Sequence, residues 1–492
     1  MGDDGPAGNA RSGGSISVGT SALPEVLDPA LATDPVALQA LWSVYTPLLT
    51  YRHAEGAEGT ELVPGLAREL PEVSEDGTTY EFALRRGLFY SNGSPLRASD
   101  FERALRRARR MASPYAGLYT GIGSIQADDR AGLVTVTLNQ PDATFAHVVA
   151  LPASAPVPAG TPSEDLSRDP PPGIGPYEIV GVRPEERWRL RRVRGFNLAD
   201  LPAGRVDVVT VDRYDGVVSQ TQAASQGTLD LMQELPSTEQ LPEIRSRYDD
   251  RYDEQPSAST VFLEMDTTVP PLDDGRVRQA VSLAVDGPTL ERLYNGLLEP
   301  GCTLLPLTVA GQDAPDPCPY GERSDPPDLL RARELVVEAG LSATRVTVVA
   351  ARDETPPAAP RYLARTLRKL GLAAEVELVA DSDAIAATPS AAIAFTALTP
   401  ELVHPASYLR RFGGRTGDSE LDASLQRLLA EPALNEARDA WAALDARVVE
   451  EAYAAPLGTK RLPMFFSERM DVQGCPASHP IFGTDFARLC LK

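Results

Sequence analysis

The residue types that usually carry enzyme chemistry are sparse in this chain and form no local motif. The histidines lie far apart, at His53, His147, His404 and His479. No H-E-x-x-H zinc pair, G-x-S-x-G nucleophile turn or G-x-x-x-x-G-K phosphate loop occurs. The pattern therefore predicts no metal site, no cofactor and no catalytic residue, although distant residues could still assemble a catalytic site.

The cysteines fall into two local pairs, Cys302 with Cys318 and Cys475 with Cys490. No C-x-x-C pair is present, which argues against zinc-binding and thioredoxin-type sites. Among the pairings that four cysteines allow, the local one is favoured, and disulfides would indicate an oxidising compartment. Four unpaired, buried thiols are the alternative.

The charge balance is strongly acidic, with 47 basic against 69 acidic residues and a formal net charge of −22. Nucleic acids and anionic membranes bind basic surfaces, so both are disfavoured as partners. One predicted helix is rich in arginine (Arg103, Arg106, Arg107, Arg109 and Arg110). We interpret it as a solvated face rather than as an anion-binding surface.

The first 14 residues are polar and rich in glycine, which predicts a flexible tether. A disordered tail is one interpretation. The other is the remnant of a lipoprotein whose signal peptide and lipid-bearing cysteine are replaced by Met1. The sequence contains no run of about 18 apolar residues, so it predicts no membrane span.

Local patterns predict alternating helices and strands. Asp34 followed by Pro35 predicts the start of a helix, and Ser99 is predicted to cap another, with Glu102 completing a capping box. Later, helices over 329–339 and 361–370 end at Gly340 and Gly371 and alternate with strands over 345–350 and 374–379. This order predicts an α/β layer that contains parallel strands.

Several segments, in order along the chain, resemble one known family. They are Asp76–Arg85 (DGTTYEFALR), Phe89–Leu96 (FYSNGSPL), Ala98–Phe101 (ASDF), Gly173–Tyr177 (GIGPY), Pro271–Ala280 (PLDDGRVRQA) with Ala284–Asp286, Leu335–Leu341 and Ala455–Leu457 (APL). Together they resemble the family 5 extracellular solute-binding proteins, which include oligopeptide-, dipeptide- and nickel-binding proteins.

The resemblance implies an α/β protein of the type II periplasmic-binding-protein fold. It has two lobes joined by a hinge and an extra subdomain inserted in the first lobe. Transferred to this chain, the limits are 1–14 for the tether, 15–45 with 174–262 and 458–492 for lobe I, 46–173 for the inserted subdomain, and 263–457 for lobe II.

The family pattern also indicates which residues would contact a ligand. Thr20, Ser21 and Ala22 follow the first strand, where the family lines its site with polar groups; a plain turn is the alternative. Tyr115 and Tyr119 lie where the inserted subdomain would face ligand, and core packing competes with that role.

Carboxylates near two later strands complete the set of candidates. Glu264 and Asp266 could meet a cationic ligand group or only cap a loop. Peptide-binding members resemble W-x-x-D-Y-P-D-P in the region that follows Phe395, and their first Asp pairs with the peptide's ammonium group. Here Glu401 stands near that Asp and His404 replaces the Asp before the proline, which departs from the peptide-binding pattern. Phe395, Glu401 and His404 are candidate ligand contacts. An exposed loop without a ligand role is the alternative for Glu401 and His404.

The function implied by the resemblance is the substrate-binding component of an ABC importer, which captures a peptide or another small amine- or amide-bearing solute. It implies a monomer that needs no cofactor, makes or breaks no covalent bond and delivers its ligand to a membrane permease. The protein would be lipid-anchored on the outer face of the membrane, or periplasmic. A ligand-sensing receptor and a secreted hydrolase are the alternatives.

Overall fold

The computed structural model describes residues 12–234, 236–237, 239–309, 318–352, 355–388 and 391–492. Most of the predicted tether, residues 1–11, therefore lies outside the described residues. The strands are β1 (Ser15–Thr20), β2 (Leu49–Tyr51), β3 (Leu62–Pro64), β4 (Glu72–Val73), β5 (Thr79–Ala83), β6 (Ile122–Asp128), β7 (Leu133–Leu138), β8 (Tyr177–Arg183), β9 (Arg187–Arg192), β10 (Val208–Arg213), β11 (Leu231–Met232), β12 (Tyr252–Met265), β13 (Leu298–Pro300), β14 (Arg345–Ala351), β15 (Ala373–Val379), β16 (Ile393–Leu398), β17 (Ala454–Phe465), β18 (Ser478–His479) and β19 (Gly483–Thr484). The α-helices are α1 (Pro35–Val44), α2 (Ser99–Arg110), α3 (Phe145–Val148), α4 (Gly216–Ser225), α5 (Leu241–Arg247), α6 (Gly275–Leu283), α7 (Gly287–Leu293), α8 (Leu329–Glu338), α9 (Ala358–Lys369), α10 (Ser382–Ala386), α11 (Pro405–Leu409), α12 (Ser419–Leu429) and α13 (Leu434–Glu450).

The chain divides into two compact units. Unit 1 takes the residues up to Gln255 together with Leu462–Lys492, and unit 2 takes Pro256–Arg461. Both passages between the units lie within strands, because β12 and β17 each continue across a unit boundary. The finer division, with 46–173 as an inserted subdomain of lobe I, stays a prediction.

Unit 1 is built around a mixed sheet with the strand order β11-β1-β10-β9-β8 in its described residues. Strand β1 pairs in parallel with both β10 and β11. In β9, Trp188 and Leu190 are buried while Arg187 and Arg191 are exposed, because successive side chains of a strand point to opposite faces of the sheet. A second sheet, ordered β4-β5-β7-β6, lies in the same unit.

The helix starts of unit 1 follow the sequence prediction in one case and depart from it in another. The Asp34 carboxylate accepts hydrogen bonds from Val36 N and Ala37 N, so it caps α1 as predicted. The prediction that Ser99 caps α2 is wrong, because Ser99 is already helical and its hydroxyl donates to Asp129 at 2.9 Å.

The arginine-rich face of α2 is not wholly solvated, which corrects another prediction. Arg107 is buried, and its guanidinium pairs with the buried Asp28. It also donates to the carbonyl oxygen of Pro162 at 2.7 Å. Arg106 and Arg110 of the same helix are exposed, as predicted.

Unit 2 contains the sheet ordered β13-β17-β12-β16-β14-β15. The predicted alternation of helices and strands is confirmed, since β14 pairs in parallel with both β15 and β16. Gly340 and Gly371 follow α8 and α9 with positive φ angles of 70° and 103°, the left-handed conformation predicted for these helix ends. Asp274 caps α6 by accepting from Arg276 N.

Both predicted disulfides are present. Cys302 pairs with Cys318 in unit 2, and Cys475 pairs with Cys490 in unit 1. Within the described ranges, no helix has the length and apolarity that a bilayer crossing requires.

Candidate functional site

The loop that follows β1 lies beside a polar segment of unit 1 that the sequence analysis did not single out. Val18 and Gly19 of β1 stand opposite Leu231 and Met232 of β11, and the two strands run in parallel. Parallel strands end at the same edge of a sheet, and ligands of α/β proteins bind at such edges. The residues that follow the two strands are therefore neighbours.

Glu234 joins the two strand ends. Its Oε1 accepts from the backbone N–H of Ser21 in a short hydrogen bond and lies 2.9 Å from the hydroxyl of Thr20. The other oxygen, Oε2, has no hydrogen-bond partner among the described residues. A carboxylate oxygen left without a donor costs about 1–3 kcal/mol or more, so it favours a ligand that supplies one.

Two glutamines extend this arrangement. Gln220 of α4 donates from Nε2 to the hydroxyl of Ser21 at 3.0 Å, and Gln233 donates to Oε1 of Gln39 at 2.6 Å. In the described part of the chain the amide oxygens of Gln220 and Gln233 accept no hydrogen bond. We name these five residues the acceptor cluster: Thr20, Ser21, Gln220, Gln233 and Glu234.

The acceptor cluster contains oxygens that lack donors, and this defines its chemistry. An ammonium group or an amide N–H could satisfy them, whereas a carboxylate ligand would be repelled by Glu234. Ser21 is half-buried and the adjacent Ala22 is exposed, so the cluster reaches the surface of unit 1 at this loop.

The sequence did contain a signal for Glu234. A short apolar strand at Leu231–Met232 is followed directly by Gln233 and Glu234, just as β1 ends at Thr20 and is followed by Ser21. Local patterns do not show that the two strands are neighbours, because their pairing joins residues more than 200 positions apart.

A second candidate site lies wholly within unit 2. It is a cavity of about 230 Å³ on one face of the sheet, here called the unit 2 cavity. Its lining includes Glu264, Asp266, Thr396, Arg411 and Arg415. The structure therefore brings two of the predicted residues, Glu264 and Asp266, into one site.

The carboxylates of the unit 2 cavity are already engaged within the chain. Glu264 pairs with Arg411 at 2.8 Å and with Arg415 at 3.1 Å, so its charge is compensated. Asp266 accepts from the backbone N–H of Thr268 at 2.9 Å, which stabilises the turn after β12. Asp266 therefore caps the loop after β12, which is the alternative role considered for it.

Strand register separates the remaining predicted residues from these carboxylates. Glu264 stands opposite Ala394, whereas Thr260 stands opposite Leu398 in the antiparallel pair of β12 and β16. Asp266 follows Met265 and Glu401 follows Leu398, so the two residues leave this strand pair at opposite ends. These ends are five residues, or roughly 17 Å, apart at about 3.4 Å per residue. The structure does not bring Asp266 and Glu401 together.

Phe395 and His404 have packing roles in unit 2. Phe395 pairs with Leu263 on the opposite sheet face from Glu264, and both are part of the hydrophobic core. His404 is buried, accepts at Nδ1 from Ala406 N and packs edge-on against Trp441 at 5.4 Å. His404 thus caps the start of α11. Glu401, three residues earlier, is exposed.

Tyr115 and Tyr119 lie in the interior of unit 1. The Tyr115 hydroxyl donates to Ala32 O at 2.7 Å, and the Tyr119 hydroxyl lies 3.1 Å from Ser154 Oγ. Burial raises the pKa of Tyr119 to about 12. Core packing, the alternative considered for both rings, matches these contacts. Their predicted contact with a ligand stays a prediction.

Comparison with known proteins decides the family. Residues 61–420 match the model of the bacterial extracellular solute-binding proteins, family 5 (middle). The chain belongs to this family.

Among curated relatives, the glutathione-binding protein GsiB of Shigella flexneri is 27% identical over 321 residues, which are 64% of this chain and 59% of that protein. GsiB of Escherichia coli K12 is 27% identical over 322 residues, with the same coverage. The match thus spans about three fifths of these relatives' length.

Solved structures show that this family 5 chain has the type II periplasmic-binding-protein fold. The clavulanic acid biosynthesis oligopeptide binding protein 2 superposes with a TM-score of 0.83 at 23% identity, covering 98% of this chain and 96% of that one. DppA of Helicobacter pylori, in complex with the peptide STSA, superposes with a TM-score of 0.71 at 20% identity, covering 98% of each chain.

Proposed function

We propose that the protein is the substrate-binding component of an ABC importer and captures a peptide or another small solute that carries an amine or amide. It acts outside the cytoplasmic membrane, as a lipid-anchored or periplasmic monomer, and delivers its ligand to a membrane permease. It holds its ligand by hydrogen bonds and catalyses no reaction. Membership of an extracellular solute-binding family supports this role.

The observation that carries the proposal is the acceptor cluster of unit 1. Glu234 Oε2 accepts an ammonium or amide N–H of the ligand, and Thr20, Ser21 and Ala22 border it. The names of two relatives agree with this ligand class, since GsiB is a glutathione-binding protein and DppA was solved with a peptide. Glutathione and peptides both carry amines and amides.

The amine-binding role moves from Glu401 to Glu234 in this proposal. The Glu234 carboxylate has an oxygen without a donor, whereas nothing around the exposed Glu401 orients its carboxylate in the described structure. Glu264 and Asp266 are proposed as secondary contacts only, because arginines and a backbone N–H already engage them.

The first experiment is native mass spectrometry of the purified protein, followed by denaturation and identification of the released molecules. We expect bound mass that corresponds to peptides or small amines, since solute-binding proteins enclose their ligands. An empty protein that also gives no thermal shift with a panel of di- to pentapeptides and amines would contradict the proposal.

Glu234→Gln should weaken the binding of an amine-bearing ligand at least about tenfold, because a charge-assisted hydrogen bond contributes roughly 1.5–3 kcal/mol. Isothermal titration calorimetry with the ligand identified above measures this loss. Glu72→Gln, at an exposed position of unit 1, is the matched control and should bind within about twofold of the original protein. Equal affinities of the two variants would remove Glu234 from the site.

Two measurements distinguish the importer component from the alternative functions, a sensing receptor and a secreted hydrolase. A receptor that only senses its ligand would bind equally well but would not co-purify with a permease when cross-linked in cells. A secreted hydrolase would convert its bound peptide, so chromatography of the released ligand would reveal fragments. Intact ligand together with a cross-linked permease supports the importer component.

A further inference from the structure

A basic cavity lies in unit 1, apart from the acceptor cluster. Its volume is about 440 Å³, within the range of roughly 300–1,000 Å³ typical of small-molecule sites. The groups that matter are His53, Arg205 and Arg488, and Asp200 and Cys475 also line it. These residues come from three distant parts of the chain, and we call the site the basic cavity.

His53 is held in one orientation in the basic cavity. Its Nδ1 lies 2.6 Å from Oδ2 of Asp485, and the indole of Trp42 stacks on its ring at 4.0 Å and 11°. The side chain of His53 is only 8% exposed and that of Asp485 only 1%. With Nδ1 bound to the carboxylate, Nε2 remains for a ligand; it has no hydrogen-bond partner among the described residues.

Asp485 keeps its negative charge behind the histidine. Burial raises the pKa of its carboxyl, but His53 and His479 outweigh this effect and hold the pKa below its usual range. The hydrogen bond between Asp485 and His53 fixes the imidazole at the wall of the cavity.

Two arginines add to the positive charge. Within the described ranges, neither Arg205 nor Arg488 has a carboxylate within 4.0 Å, unlike the neighbouring Arg192, which pairs with Asp207 at 2.6 Å. Arg488 donates through Nη1 to the carbonyl oxygen of His53, which fixes its guanidinium at the cavity wall.

The opposing charges near the basic cavity do not cancel it. Asp200 is exposed at its border. Burial raises the pKa of the nearby Glu55, and Arg488 only partly opposes this rise. Among the residues that line the cavity, two arginines stand against one aspartate, so the lining itself carries a net positive charge. This is notable in a chain whose formal net charge is −22.

The walls of the basic cavity are rigid. The disulfide between Cys475 and Cys490 closes one side. On the other side Gly204 has a φ of +74°, and a Cβ at this position would meet the ring of Tyr177 at 2.9 Å. The backbone next to Arg205 is thus packed closely against Tyr177 of β8.

We infer that the basic cavity is an oxyanion site that binds a phosphate group. Arg205 and Arg488 provide planar guanidinium donors, which match the geometry of phosphate oxygens, and Nε2 of His53 is a further hydrogen-bonding group at the cavity wall. The phosphate group belongs either to free inorganic phosphate or to the headgroup of a phospholipid. Binding involves no covalent step, and the site is separate from the one proposed for the transported solute.

The test titrates the intact protein with inorganic phosphate at about pH 6.5 and follows the Hε1 proton signal of His53 by NMR. We expect saturable shifts with a Kd below about 10 mM. Arg205→Gln should weaken phosphate binding at least about tenfold. The exposed Arg86→Gln, also in unit 1, is the matched control and should stay within about twofold.

Vesicles distinguish the two sources of the phosphate group. Co-sedimentation with phosphatidic acid vesicles but not with phosphatidylcholine vesicles, lost in Arg205→Gln, would assign the site to a lipid headgroup. Saturable binding of inorganic phosphate without vesicle binding would assign it to free phosphate. Neither form of binding, or equal binding by the Arg205 and Arg86 variants, would overturn the proposal. Arg205 is exposed and bonds no buried group through its side chain, so its substitution leaves the fold intact.

Discussion

Replacing Arg107 with leucine should lower the free energy of unfolding by about 3–5 kcal/mol, the usual loss when one partner of a buried ion pair is removed. The Asp28 carboxylate would remain, fully buried, with only backbone donors from Ala30 and Leu166, each at 3.0 Å. These cannot neutralise its charge. Urea unfolding followed by the fluorescence of Trp42 and Trp188, both in unit 1, measures the loss.

Two further variants isolate the cause of that loss. Arg106→Leu removes the exposed neighbour on α2, whose pair with Glu102 is solvent-accessible, and should cost at most about 1 kcal/mol. Combining Arg107→Leu with Asp28→Asn should recover part of the loss, because no buried charge remains. If Arg107→Leu and Arg106→Leu cost the same, the buried pair does not stabilise the protein.

Stability should also depend on pH through Asp445 of α13, the second large effect that we expect. Burial raises the pKa of this carboxyl to about 7, although the backbone N–H groups of Leu305 and Leu304 oppose the rise. The folded state therefore holds a proton that the unfolded state releases between about pH 4 and pH 7. This contribution is present at acidic pH and is lost as the pH rises through about 7.

The Asp445→Asn variant does not titrate at this position and so measures the effect. Relative to this variant, the original protein should gain about 2–3 kcal/mol of unfolding free energy between about pH 8 and about pH 5. Asp439→Asn, at an exposed position of the same helix, should show no such pH dependence. A constant difference between the Asp445 variant and the original protein would show that Asp445 stays ionised in the folded state.

Local chemistry explains why some elements could be predicted. Asp34 and Asp274 cap helices because a carboxylate next to the first turn can reach free backbone N–H groups without any help from the rest of the fold. Gly340 and Gly371 end helices for a similarly local reason, since only glycine adopts positive φ without strain.

Ser99 shows the limit of such local arguments. Its sequence context is that of a capping box, but Asp129, 30 residues later, binds both its backbone N–H and its hydroxyl. Arg107 is a second case: its helix looks solvated in sequence, yet Asp28 and the carbonyl of Pro162 enclose it. In both cases a partner from a distant segment changed the role of the residue.

Local patterns were enough to predict the family, the α/β class, the alternation of helices and strands in the C-terminal half and the cysteine pairing, because each depends on residues close together in the chain. Which polar residues share a site could be read only from the folded chain. Parallel pairing of β1 with β11 places Glu234 beside Thr20, and antiparallel pairing of β12 with β16 separates Asp266 from Glu401. Strand partners and register result from burial summed over the whole sheet, which no local pattern contains.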